Sequence, residues 1–439
     1  MADSLRPLPP KPETRLPTTR HSNQIGRPAL RTRLAPLTPA TVAMAALAMF
    51  VAIVMGASGS GAQAAGPAGL GAPEGFGAPT TGGDGGPLYW VTNVNNDGPG
   101  SLRRGAEDDR PLLIRFRASG TIALQRHLKV GANKTIDGRG ADVTISGRGF
   151  VLAKPNVIVT NLKFSDFGDP AKEDNPEDAI LINGASRVWI DHCTITGAAD
   201  KAIGIPVGTD VTLSWNRFVE QDQVVQIGTF ATRDRSGDTR VTMHHNLFDG
   251  DGYRMPRVSY AKVHVYNSYL RNWTVHGMSA VRGSQLLSQA NIFEAGAKDN
   301  AIIFSGGDPE KDASPGFVRS EGEMLLNGSQ IRENDPALVF LPSSYYQVNV
   351  EPATEELRQR LVTETGWRVT PMPPDPPGSP SPESPDSSSS GSWWYLISPG
   401  GAVVVVVVTV LLVRWRRRTS GGSSSGPPSS TDALQPLGR

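Results

Sequence analysis

The chain has 439 residues, and 43 Lys plus Arg against 42 Asp plus Glu leave a formal net charge of +1 at neutral pH, so net charge provides no field for binding nucleic acid. A single cysteine, Cys193, excludes an intrachain disulfide and any Cys-pair metal site. Hydrophobic residues at 38%, beside 48 Gly and 36 Pro, suit many short half-exposed strands better than long buried helices.

Residues 1–64 are expected to be a secretory signal region. An Arg- and Pro-rich, acid-poor start leads into the apolar run 40–57, and Ala62, Gln63 and Ala64 form a small-x-small cleavage pattern. An uncleaved signal anchor is the other reading of that run. Residues 65–84 are Gly-rich and expected to be flexible. From 85 to 370 the pattern changes to short alternating strands, with related strings at 156–164, 187–195, 210–218, 240–248, 262–270 and 286–294. Each is a β-branched run entering a polar corner residue, in turn Asn161, Asp191, Asn216, Asn246, Asn267 and Asn291, at intervals of about 21 to 30 residues.

Irregular repetition of one strand-plus-corner unit marks a coiled solenoid with loop insertions. The strand content selects an all-β parallel β-helix over a helical solenoid, and scarce hairpin dipeptides argue against an antiparallel sandwich. Asparagines stacked at successive corners can form a ladder, because an amide side chain both donates and accepts. The caps that the two ends of a solenoid require are not identifiable from the sequence.

Residues 371–392 are a Pro/Ser-rich linker, expected to be extended and solvated. The uncharged run 393–413 opens on Trp393, Trp394 and Tyr395 and is long enough to cross a bilayer, so a C-terminal transmembrane helix is expected. Arg414, Arg416, Arg417 and Arg418 follow it, placing the basic Gly/Ser tail 414–439 in the cytoplasm and the repeat domain outside. No LPxTG-like sorting motif precedes the span. The expected location is a bacterial cell surface, with the ectodomain tethered to the membrane by this single span.

The segments VTNVNNDGPGSLR (91–103), IRFRASGTIAL (114–124), KTIDGRG (134–140), VWIDHCT (188–194) and RMPR (254–257) stand in the order of a known family. On them the chain resembles the extracellular pectate lyases of the pectate/pectin lyase superfamily. The resemblance implies a right-handed parallel β-helix and cleavage of polygalacturonate, or a pectin-like polysaccharide, by β-elimination. Products would carry an unsaturated uronide at the new non-reducing end.

Elimination across a uronate needs a base for the proton next to the carboxylate, and positive charge to neutralise that carboxylate and stabilise the carbanion. Calcium on oxygen ligands can do the latter. The resemblance places metal-binding carboxylates at Asp178 and Asp200, the proton-abstracting arginine at Arg254 and a substrate-binding arginine at Arg257. Arginine is ordinarily fully protonated, so the base role comes from the resemblance and not from reference pKa values. An ordinary ion pair with Asp249 or Asp251 is the other reading of Arg254, and ordinary surface carboxylates that of Asp178 and Asp200. Pro256 is expected to fix the strand entry that aims both arginines.

Three positions depart from the family's pattern: a third acid, a lysine and a second arginine are replaced by Gly204, Gln223 and Ser259. The departures open two further readings: a calcium-independent lyase on esterified pectin or another uronate polymer, and a non-catalytic carbohydrate-binding surface protein. Glu177, Asp169, Glu173 and Asp174 are further acidic candidates that no spacing argument singles out. Lys201, beside Asp200, is a candidate to offset charge in place of a metal, although strand alternation is expected to turn it to the opposite face. The same rule separates Asp191 from His192 and His244 from His245, so those pairs are read as structural. His264 is expected to pack near the arginine strand, and Cys193 to act as a small buried hydrophobe.

Overall fold

The computed structural model describes residues 70–168, 177–229, 239–250, 252–296, 304–305 and 314–375. The expected signal region 1–64, the apolar run 393–413, residues 414–439 and the expected linker beyond 375 lie outside the described residues. Among the described residues no helix is long and apolar enough to cross a membrane. The chain divides into Met1–Pro73, of which only 70–73 are described, and a compact unit that begins at Glu74.

Strands from Leu88–Val91 to Met324–Leu326 wind into a parallel β-helix with three faces. The first face carries the opening halves of Ile180–Asp191 and Lys201–Ser214, followed by Gln223–Ile227, Arg257–Ser259 and Met278–Val281. The second carries the closing halves of those two long strands between Val157–Thr160 and Arg240–His244. A separate nine-stranded sheet, from Gly120–Ala123 to Met324–Leu326, makes the third. Neighbouring coils pair in parallel, and the antiparallel pairings among the described residues are the isolated bridges Val281–Pro315 and Val318–Asn334.

β-branched strands form here because every coil buries the same inward position against the next. Val157, Val188, Val211, Val241, Val263, Leu286 and Val318 are consecutive register partners and none is exposed to solvent. Each buried side chain of this kind stabilises the fold by about 1.5–3 kcal/mol relative to exposure. Cys193 belongs to the same interior, and burial pushes its thiol up to about 12, which keeps it protonated and inert. The short helix Leu102–Ala106 provides one cap that sequence did not reveal, burying Leu102 and Ala106 at the first coils.

The expected asparagine ladder exists on Asn216, Asn246 and Asn291, with Ser268 instead of Asn267 as the rung between the last two. Asn216 Nδ2 donates to Asn246 Oδ1 at 3.1 Å, Asn246 N to Ser268 Oγ at 3.2 Å, and Ser268 N to Asn291 Oδ1 at 2.8 Å. Asn161 and Asn267 belong instead to the neighbouring column, where they hold left-handed backbone (φ 53° and 48°) with His192, Trp215, His245 and Ala290. Two corner columns run side by side, one residue apart. Asparagine suits both, which is why spacing alone merged them.

Two segments outside the coils are docked onto them. Residues 75–83, expected to be flexible, lie along the second face: Phe76 N donates to Thr242 Oγ1 at 3.0 Å, Gly77 N to Thr212 Oγ1 at 3.0 Å and Gly82 N to Asn156 Oδ1 at 2.9 Å. Glycine permits that approach, since a Cβ on Gly83 would stand 1.9 Å from the Leu112 carbonyl oxygen. The β-helix also ends earlier than residue 370, and the chain then runs back along the stack. Its helix Glu355–Glu364, N-capped by Thr354, buries Leu357 and Leu361 against Leu247, Tyr269 and Ile292. Further on, Gly366 N donates to Trp215 O, Arg368 N to Asn161 Oδ1 and Gly140 N to Thr370 O. The return ends at buried Arg115, whose Nη1 donates to the Pro373 and Pro374 carbonyls and pairs with Asp375 at 3.1 Å. The start of the expected linker, 371–375, is therefore held against the domain.

Candidate functional site

Asp178, Asp200, Gln223 and Arg254 approach one another because parallel register stacks the starts of successive strands on the first face. Lys201 is the register partner of Gln223, which bridges to Tyr253, and Gly204, Gln226, Arg257 and Ser279 form a row three residues further along the strands. Adjacent strands in such a sheet lie roughly 4.8 Å apart, so the chain at Lys201 and that at Arg254 are about 10 Å apart.

The Arg254 guanidinium is held without a carboxylate among the described contacts. Its Nη1 donates to Gln226 Oε1 at 2.8 Å and to Gln223 Oε1, its Cζ lies 4.9 Å from the centre of the Tyr253 ring, and its buried Nε has no partner. Its backbone is left-handed, φ 63°, a conformation that costs of order 1–2 kcal/mol for a side chain of this kind and persists only where surroundings hold it. The alternative ion pair with Asp249 is not made: Asp249 is engaged by Arg271 Nε at 2.7 Å and Arg217 Nη2 at 2.8 Å. Asp251 lies outside the described residues.

Arg257 is buried three residues further along the same coil, its Nη1 3.3 Å from Ser259 Oγ. Ser259 is also approached by Arg282 Nη1 at 3.5 Å, from the residue next to its register partner Val281. The arginine missing at 259 thus has a guanidinium at the same place from the following coil. No sequence signal points to Arg282, because none of the segments that carry the resemblance includes it.

Lys201 overturns the alternation argument. Asp200 sits in a bend and the strand starts at Lys201, so the two-residue period does not yet apply between them. Lys201 Nζ donates to Asp178 Oδ1 at 3.2 Å and to Asp200 Oδ2, and Lys201 N reaches Asp178 Oδ1 at 3.2 Å. Burial raises the Asp178 pKa, Asp200 adds to the rise and Lys201 works against it. Gly204 makes room for this arrangement: a Cβ there would stand 2.2 Å from Asp178 Oδ2.

The other acidic candidates do not join. Glu177 is buried in another cluster, with His127 Nε2 at 2.7 Å, Arg148 Nη1 at 2.9 Å and the Gly149 amide at 2.8 Å. Asp169, Glu173 and Asp174 lie outside the described residues. Among the described residues no group of three or more His, Cys, Asp or Glu side chains is arranged to hold a metal ion.

Left-handed corners also bring together the pairs that alternation separated. His192 Nδ1 is 2.6 Å from Asp191 Oδ2, while Asp191 Oδ1 accepts from Ser214 Oγ at 2.7 Å and Ser214 Oγ from Trp189 Nε1 at 2.7 Å. The VWIDH segment is thereby tied across two coils. His244 and His245 meet Nδ1 to Nδ1 at 2.9 Å, and His245 Nε2 lies 2.7 Å from Glu351 Oε1. His264 Nδ1 contacts Tyr346 OH at 2.9 Å, under the C-terminal return segment and away from the arginine strand.

The pectate lyase family model matches residues 118–311. The chain is 34% identical over 281 residues to pectate lyase 1 of Cryptomeria japonica, covering 58% of this chain and 75% of that one. It is 32% identical over 280 residues to pectate lyase 4 of Ambrosia artemisiifolia, covering 58% of this chain and 70% of the relative. Among solved structures, the major allergen from cedar pollen superposes with a TM-score of 0.59 at 27% identity, over 67% of this chain and 92% of that chain. A mutant of the Bacillus subtilis pectate lyase superposes with a TM-score of 0.53 at 18% identity, over 69% of this chain and 98% of that chain, which is a likeness of fold.

Proposed function

We propose, for a chain that belongs to the pectate lyase family, that Arg254 is the base and Arg257 the substrate contact of a polysaccharide lyase that cleaves polygalacturonate by β-elimination. The observation that carries the assignment is the Arg254 guanidinium, held by two neutral amide oxygens beside Arg257 with no carboxylate partner among its described contacts. In the reaction Arg254, having given up one proton to water, acts as the neutral guanidine: it takes the proton next to the uronate carboxylate and returns to the guanidinium. The C–H electrons form the new C=C bond, the bond to the bridging oxygen breaks, and that oxygen leaves with a proton from water. Arg257 and Arg282 provide guanidinium forks for uronate carboxylates on either side of Ser259.

Calcium is the group the family implies, and it would neutralise the uronate carboxylate. The donors present do not fit it. Asp178 and Asp200 share an ammonium, and position 204 has no room for a third acid while Asp178 stands where it does. Calcium prefers six to eight oxygen ligands, so two carboxylates already committed to Lys201 make a poor cage. A calcium-independent lyase on esterified pectin or another uronate polymer is the second reading, kept open by the poor fit of Asp178 and Asp200 to calcium.

The test follows unsaturated-product absorbance on polygalacturonate and on methylated pectin, with residues 66–375 as the enzyme. Turnover of the unesterified polymer is the expected result. Turnover of methylated pectin alone would select the second reading, and binding of either polymer without turnover would leave a non-catalytic carbohydrate-binding protein.

The chain is further proposed to be a secreted ectodomain anchored by residues 393–413 at a bacterial cell surface. That placement is supported by the length of the uncharged run and by the arginines after it. Full-length protein expressed in a bacterium should sediment with membranes, resist salt washing and dissolve in detergent. Recovery of the intact chain in the soluble fraction would refute the anchor.

A further inference from the structure

Resting on the lyase reading above, we propose that Lys201 is a built-in replacement for a divalent cation: its ammonium occupies the cation position between Asp178 and Asp200 and neutralises the uronate carboxylate there. Three observations carry it. The ammonium binds both carboxylates from one point, at 3.2 Å to Asp178 and also to Asp200. Its side chain is 16% exposed, and an ammonium has three donors, so two are committed to aspartates and one remains for a substrate oxygen. Gly204 lets Asp178 lean toward that ammonium where another side chain would collide with it.

The charges agree. Three carboxylates around a dication carry one net negative charge, and two carboxylates around an ammonium carry the same. Exchanging an acid for Gly204 and gaining Lys201 therefore leaves the net charge of the cluster unchanged. Placement agrees as well: Lys201 is the register partner of Gln223, whose amide oxygen touches Arg254. The long side chains of Lys201 and Arg254 can close those two strand spacings on a single uronate, with its carboxylate at Lys201 and the adjacent proton toward Arg254. The lysine absent at 223 is thus regained one coil earlier, as the arginine absent at 259 is regained one coil later at Arg282.

The decisive measurement is a calorimetric calcium titration of the folded ectodomain, backed by turnover in the presence of chelator. Wild type should show no calcium binding up to about millimolar concentration, and chelator should leave its rate unchanged. Lys201→Gln, which keeps the side-chain bulk but removes the charge, should weaken binding of a short oligogalacturonate at least tenfold. Lys201→Arg, retaining a cation, should remain blind to calcium. Calcium binding by wild type that Asp178→Asn abolishes would overturn the proposal, as would a rate that chelator removes and calcium restores. An ectodomain inactive on both polymers would reject the lyase reading, while the calcium titration and the oligogalacturonate affinities of wild type and Lys201→Gln would still decide the role of Lys201.

Discussion

Replacing Arg254 by alanine is expected to lower the elimination rate on polygalacturonate by roughly a hundredfold to ten-thousandfold, the range lost when a positioned proton-transfer group is removed. The side chain forms no ion pair among its described contacts that the β-helix depends on; its hydrogen bonds go to Gln223 and Gln226, both of which are partly exposed and can turn to water. Stability should therefore change little, and the loss should fall on kcat with a smaller effect on KM, because Arg257 still holds the substrate. Arg257→Ala should show the opposite split, with KM rising more than kcat falls. The discriminating measurement is a steady-state comparison of the two variants beside a thermal unfolding curve for each. If Arg254→Ala retained wild-type kcat in folded protein, the proton would have to leave by another group.

Acid should destabilise the fold between about pH 6.5 and 3. Burial holds His244 well below its ordinary value, with His245 and His264 adding to the effect, and burial pushes His264 down to about 3. His245 is also lowered by burial, with Glu351 opposing the shift. In the unfolded chain all three take up protons near 6.5, so over this window the unfolded state binds more protons and stability falls as pH falls. His264 alone accounts for at most about 5 kcal/mol, at roughly 1.4 kcal/mol per pH unit.

Two acids work against the trend. Burial raises Glu323 to about 7, and Asp178 is raised as well, so the folded state keeps protons on them that an unfolded chain would release. Their contributions are present at low pH and are lost as pH rises, Glu323 through the window from 4.5 to about 7. Three histidines outweigh them below 6.5. The midpoint of urea unfolding should be markedly lower at pH 4.5 than at pH 7.5, and His264→Gln should flatten the difference. An unchanged or higher midpoint in acid would mean these imidazoles take up protons without disturbing the fold.

Much of the fold is legible in the sequence because a β-helix repeats one local decision. Each coil needs an inward aliphatic, a β-branched run and a corner, and the strings around Val188, Val211, Val241 and Val263 state that pattern openly. Arg254, Met255, Pro256 and Arg257 were found the same way, because a short motif travels intact along one strand entry. Where the backbone leaves the two-residue period, sequence reasoning fails. The bend at Asp200 put Lys201 beside it, and the left-handed corners at His192 and His245 joined pairs that alternation would part.

What the sequence by itself determined is therefore the family, the all-β solenoid and the arginine strand, each of which rests on residues adjacent in the chain. Tertiary structure alone decided which polar groups meet. Lys201 meets Asp178 across 23 residues, Arg282 meets Ser259 across 23, and Arg115 meets Asp375 across 260. These contacts depend on coil-to-coil register and on the path of the return segment. Insertions between coils change sequence distance without changing the roughly 4.8 Å between strands, so no spacing rule on the linear chain can recover them.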